Sequence, residues 1–192
     1  MLAVSGSASP LSALQIEAAL AAGFVDLPVD ARALVADEAW PAIRDTLVES
    51  ACAALAAGRS VMLHSARGPQ DQRIAALLDA LQAAGGSRDA ARHEGGRRLG
   101  QRLGEVVDAV LRRVPLRRLL LSGGDTSSHI TQALAPQALR IEARLAPGAP
   151  LCRCVGGPAH VDGLQLGLKG GQMGTPDYFV RAWRGPSGDS LS

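Results

Sequence analysis

The chain opens on a short apolar run, Leu2 to Val4, that breaks at once into serine, glycine and proline. Such a run delivering into small residues predicts a strand that ends in a loop. From Ser12 to Ala22 the apolar positions shift to helical spacing (Leu14, Ala18, Ala21), and Gly23 marks the stop. The segment Phe24 to Val29 predicts a second strand, and Pro28 puts it near a sheet edge or a strand end. Asp37 is placed to cap a helix running to Ala57, with Pro41 tolerated in its first turn and Gly58 ending it. A third strand, Ser60 to Ala66, rises directly out of that stop.

Helical spacing resumes from Pro69 to Ala84 through Ile74, Leu77, Leu78 and Leu81. The polar, glycine-rich stretch from Gly85 to Gly96 then predicts a loop within one domain. Arg97 to Val114 is strongly amphipathic, with Leu99, Leu103, Val106, Val107, Val110 and Leu111 on one stripe. The run Leu116 to Gly124 reads as a strand feeding straight into a helix over Asp125 to Leu134. Ala138–Leu145, Leu151–Gly156 and Leu164–Gly171 predict further strands, Thr175 to Trp183 a short helix, and residues 185–192 a polar, disordered tail. This alternation predicts an α/β, three-layer domain over residues 1–184, with a mixed, mostly parallel sheet flanked by helices. The final strands, close in sequence, predict an antiparallel element appended to it.

Composition narrows the functional classes. A length of 192 residues with 47% hydrophobic content suits one globular domain, and only 3% aromatics leaves a core of small aliphatic side chains. A net charge of +2 without a concentrated basic stripe argues against nucleic acid. The arginine pairs at 97–98, 112–113 and 117–118 flank element ends and lack the aromatic neighbours that base stacking needs. Cys52, Cys152 and Cys154 are too few for a disulfide framework and lack further ligands for a metal site. No apolar stretch of about 18 residues occurs, so no membrane partner is expected and the chain is predicted to be cytoplasmic. His64 reads as a strand-end core histidine, His93 and His160 as solvated, and His129 as near enough to a glycine turn to approach a ligand.

Three segments carry candidate chemistry. In the middle one, an apolar strand runs into Ser122, Gly123 and Gly124, and Asp125, Thr126 and Ser127 open a helix. Glycines there let a backbone approach a ligand, and the helix dipole attracts phosphate. Thr126 and Ser127 add hydroxyls, and Asp125 is a candidate for Mg²⁺ or for capping. A tight turn with a polar cap explains the same residues without a ligand. Near the end, Lys169 stands at a strand terminus before Gly170, Gly171 and Gly174, a pattern that is neither a Walker A loop nor a Rossmann fingerprint. Near the start, Ser7 and Ser9 flank the first strand's loop. Ligands bind at the carboxyl ends of parallel strands, so these ends are expected around one cleft.

The motifs VSGSASP, SGGDTS and LKGGQMG, in that order, resemble the signatures of the C-terminal, nucleotide-binding domain of the four-carbon acid sugar kinase family. There the middle motif is commonly SGGETS or SGGDTA, and the last is commonly LKSGNFG leading into a D-x-F helix start. Asp177-Tyr178-Phe179 matches that start, and the resemblance runs from Leu2 to about Trp183. It implies a domain that binds ATP with Mg²⁺ through Ser7, Ser9, Gly123, Gly124, Asp125, Thr126, Ser127, Lys169, Gly170, Gly171 and Gly174. It also implies a kinase that phosphorylates sugar acids of the erythronate, threonate or 3-oxo-tetronate type. Members are about twice as long and open with an acidic D-D-x-T-G-A-like substrate motif absent here. The expectation is therefore a nucleotide domain with little or no activity alone and with its catalytic base elsewhere. The alternative is a non-catalytic module that binds a small anionic metabolite or dimerises, and a homodimer is left open in either case.

Overall fold

The computed structural model describes residues 1–30, 33, 35–83 and 87–185. Strands β1 (Leu2–Ser5), β2 (Val25–Pro28), β3 (Val61–His64), β4 (Arg118–Ser122), β5 (Ala138–Ala146), β6 (Ala149–Val155) and β7 (Gln165–Lys169) form one sheet in the order β2-β3-β1-β4-β7-β6-β5. The first five in that order run parallel, and β6 and β5 form an antiparallel hairpin at the far edge. The appended element is thus two strands, because β7 pairs parallel with β4 on one side and antiparallel with β6 on the other. Pro28 does sit on an edge strand, where its missing N–H breaks no ladder.

The helices are α1 (Pro10–Ala21), α2 (Trp40–Ala56), α3 (Gln72–Ala83), α4 (Arg88–Arg113), α5 (Gly124–Leu134) and α6 (Tyr178–Arg184). Ser9 caps α1 by accepting from the Ser12 N–H, and Pro10 follows in the first turn, so the helix starts earlier than its apolar spacing predicts. Helices α1 and α6 cover one face of the sheet around Ile16, Met62, Leu120 and Phe179. Helices α2, α4 and α5 cover the other around Leu63, Val107, Leu121 and Ile130. The central strands are apolar on both faces, as parallel strands between two helical layers must be.

Two expectations fail. The segment from Ser87 to Gly96 is no loop: Ser87 caps α4 by accepting from the Ala90 N–H, and the helix runs unbroken to Arg113. Its first turns lack an apolar stripe because they bury small residues, Ala91 and Gly95, the latter against Leu77 and Leu81 of α3. Nor does Asp37 cap α2, which begins at Trp40 without a side-chain cap. Asp37 pairs instead with Arg102 and Arg98 of α4 at 2.6 and 3.4 Å. The expected disorder of the tail concerns residues 186–192, outside the described residues.

Glycines set how closely α5 approaches its neighbours. A Cβ on Gly100 would lie 2.7 Å from the His129 Cβ, and one on Gly104 would lie 2.9 Å from the Ala133 Cβ. Gly100 and Gly104, four apart on one face of α4, therefore form the groove that seats α5.

Candidate functional site

The parallel strands end in one row. Ser5 stands opposite His64 and Ser122, His64 opposite Pro28, and Ser122 opposite Lys169. After β1 the chain crosses to α1 on one face, and after β4 it enters α5 on the other. The order of connections therefore reverses between these strands, which opens a crevice at their carboxyl ends.

The loops that leave the row are bound to one another. The Gly6 N–H donates to the Ser122 carbonyl and the Gly123 N–H to the Lys169 carbonyl, both at 3.0 Å. The Ser9 and Ser12 hydroxyls both donate to the Gly171 carbonyl, at 2.6 and 3.1 Å. A Cβ on Gly171 would lie 2.3 Å from the Ser7 Oγ, and one on Gly6 would lie 2.0 Å from the Thr126 Oγ1. Gln15 fixes the next stretch by donating to the carbonyls of Met173 and Thr175. Gly174 turns there at φ +85° against the ring of Tyr178.

Helix α5 begins without a side-chain cap. Its N-cap is Gly123 at φ 110°, a conformation that excludes a normal side chain, so the first-turn N–H groups receive no side-chain acceptor. Beside that turn lies an open cleft of about 410 Å³, lined by Gly124, Ser127, Ser128 and Thr131 of α5 and by Lys169 and Gly170 of the strand end. Gly148 of the β5–β6 turn and Pro150 of β6 form its remaining side. A Cβ on Gly124 would meet nothing within 4 Å, so backbone faces open space there. The Ser127 hydroxyl is buried with no hydrogen-bond partner.

Lys169 is 2% exposed, and its Nζ donates only to the carbonyls of Gly170 and Gly171, at 3.0 and 3.5 Å. It lies 5.8 Å from the centroid of the Tyr178 ring and makes no ion pair among the described residues. Burial lowers its pKa to about 8, because a charged amine without a counter-ion is poorly solvated there.

The eleven expected site residues, Ser7 to Gly174, all lie at this end of the sheet but in different roles. Gly124, Ser127, Lys169 and Gly170 line the cleft. Ser7, Ser9, Gly171 and Gly174 brace the loops behind it, while Gly123 and Thr126 pack against the loop after β1. Asp125 points to the other flank, where its carboxylate comes within 4.0 Å of a Cβ built on Gly96. Sequence reading missed Ser128 and Thr131, which fall on the Gly124 face of α5 at helical spacing, and the β5–β6 turn, which no local motif connects to the cleft.

His129 turns away from the cleft and packs on Gly100, so it does not approach this site. His160 is not solvated but bonded to Asp108 at 2.7 Å. His64 is fully buried as expected, bonded to Asp26 at 2.8 Å through Nε2, and burial lowers its pKa. The three thiols are free, burial pushes Cys154 up to about 11, and the described residues hold no group of three or more His, Cys, Asp or Glu fit for a metal. Among them, no helix is long and apolar enough to cross a membrane.

A doubly wound sheet with glycine turns and an uncapped helix start at the carboxyl ends of its strands defines an α/β domain with a crevice where such sheets bind ligands. Residues 2–179 match the model of the nucleotide-binding C-terminal domain family. The chain belongs to that family and corresponds to the C-terminal domain of four-carbon acid sugar kinases. It is 42% identical to a 3-oxo-isoapionate kinase of Paraburkholderia graminis, over 92% of this chain and 37% of the relative. It is 32% identical to a D-threonate kinase of Salmonella typhimurium, over 95% of this chain and 41% of that one. The chain thus spans about two fifths of the curated relatives it matches. Among solved structures, a domain of unknown function from Bordetella bronchiseptica, a domain-swapped dimer with bound citrate, superposes with a TM-score of 0.67 at 25% identity. That match covers 95% of this chain and 39% of the other.

Proposed function

We propose that this domain binds ATP with its phosphates at the start of α5 and serves a kinase that phosphorylates a four-carbon sugar acid. The observation that carries the reading is an uncapped helix N-terminus beside an open cleft, with Lys169, a buried cation that makes no ion pair among the described residues, in the lining. A phosphate would supply what both groups lack, and Gly124 leaves the space for it. Ser127 lines the same cleft, and its buried hydroxyl has no hydrogen-bond partner.

Among the described residues the cleft lining contains no carboxylate, and Asp125 faces the other flank. Mg²⁺, which neutralises phosphate charge in such transfers, would therefore be held by the nucleotide and by water rather than by this wall. The residues of this chain bind and orient: Lys169 and the α5 N–H groups hold the phosphates, and Ser9 and Ser12 keep the closing loop seated. The sugar acid and its hydroxyl-activating base belong, in this reading, to the remaining portion of the kinase.

Calorimetric titration with Mg-ATP tests it. The parent should bind, and Gly124→Val should lose binding while keeping its fold, since a side chain there meets open space but blocks phosphate. Gly123→Ala should instead destabilise the fold by about 1–3 kcal/mol, because that glycine holds a positive φ. Equal ATP affinity for parent and Gly124→Val would make the turn structural, whereas no binding by the parent would favour a non-catalytic module that binds a small anionic metabolite or dimerises.

A further inference from the structure

A further cavity, of about 540 Å³, lies at the other end of the sheet, away from the crevice. It opens where β4 begins and α6 ends, and Pro115, Leu116, Arg117, Arg118, Trp183 and Arg184 line it. Its size falls within the roughly 300–1,000 Å³ of small-molecule sites. Three of these six side chains are arginines, and among the described residues the lining holds no carboxylate.

The arginines differ in role. Arg118 is committed to the fold: its Nε and Nη2 donate to the Gln165 Oε1 at 3.0 and 2.8 Å, and its Nη1 donates to the Ala182 carbonyl of α6. Burial lowers the Arg118 pKa and the neighbouring Arg117 charge lowers it further. Glu142, which offsets part of this, is itself bonded to Arg153. Arg117 and Arg184 are exposed and make no ion pair or side-chain hydrogen bond among the described residues. Three like charges thus share one concavity, an arrangement that costs free energy until an anion enters. The guanidinium fork of each free arginine matches a carboxylate or a phosphate group. Trp183 supplies an apolar wall: its ring packs edge-on against Phe24, with centroids 5.7 Å apart, and remains 45% exposed.

We infer that this cavity is a second binding site, for a small organic dianion whose carboxylate or phosphate groups pair with Arg117 and Arg184 while its carbon skeleton lies against Trp183. Arg118 contributes charge alone, since its donors are taken. The inference does not depend on the nucleotide reading, because this cavity and the crevice lie at opposite ends of the strands.

Tryptophan emission tests it on the full chain, because the other tryptophan, Trp40, is 1% exposed and packs on the other face of the sheet. The probes are tartrate, a dicarboxylate, and 3-phosphoglycerate, which carries one group of each kind. A saturable change with either is expected, and the tighter of the two identifies the acid group the site prefers. Arg117→Gln combined with Arg184→Gln should keep the fold, since both side chains are exposed. It should weaken the response at least about tenfold, through the loss of charge-assisted hydrogen bonds. Trp183→Phe should lose the emission change yet keep the rise in melting temperature that the same anion gives the parent. Gly124→Val, altered in the crevice, should respond as the parent does, and loss of its response would move the anion there and overturn the inference. Absence of any saturable change, a change that sodium chloride reproduces at equal ionic strength, or one that survives the double substitution would overturn it as well.

Discussion

At the scale of single residues, Lys169 carries the most informative chemistry. Burial lowers its pKa from 10.5 to about 8. Between those values the unfolded chain binds more protons than the folded one, so this residue makes the fold more stable as pH rises through that window. An anion bound beside Lys169 restores the charged form. ATP binding should therefore take up a proton at about pH 8.5 and almost none at about pH 6.5. Titration in two buffers of different ionisation enthalpy measures this. Equal apparent heats at the higher pH would mean that the phosphates do not lie against Lys169. The Asp26 pKa is lowered as well, but there the charged form is the one favoured: burial works against its charge, yet hydrogen bonds from His64 and Arg67 outweigh it and keep its carboxyl below the usual range.

At the scale of elements, the strands and their glycine ends were legible in the sequence because short apolar runs and Gly/Ser breaks are local signals. The start of α4 was not, since its buried positions are alanine and glycine, and its cap, Ser87, lies among other polar residues. The cleft was half legible. Lys169 and Gly124 follow strands in the chain, whereas Pro150 reaches the site only through the pairing of β6 with β7. The glycine groove of α4 gives a prediction at this scale. Gly100→Leu should destabilise the fold by about 1–3 kcal/mol, read by denaturant titration, because α5 must move off its seat. Gly96→Leu on the same helix should not, since open space lies beside it. Gly100→Leu should also weaken ATP binding, since the phosphate end of α5 shifts with the helix.

For the whole molecule, the decisive requirement is geometric. Phosphoryl transfer needs an acceptor hydroxyl held in line with the phosphate, and a misplacement of about 1 Å can cost about a hundredfold in rate. The cleft offers groups for a phosphate and none identified for a sugar acid. The protein alone should therefore bind Mg-ATP yet release no ADP in response to erythronate or threonate in a coupled assay. Supplying the remaining portion of a kinase of this family, joined or separate, should restore turnover where the two surfaces fit. Sugar-acid-dependent ADP release by this chain alone would place the acceptor site among residues assigned here to structure.

The position of β7 carries a consequence for how the chain is made. The strand that joins the parallel half of the sheet to the hairpin is the last of the sheet to leave the ribosome. Until it emerges, β4 has an open edge, and the β5–β6 hairpin has no partner strand through which to dock. Both must wait during synthesis with unpaired backbone, the condition under which nascent strands mispair with other chains. A message broken between the codons for Val155 and Gln165 thus yields two incomplete sheet fragments rather than a slightly shorter domain, and a substrate for proteases rather than a weak binder of nucleotide.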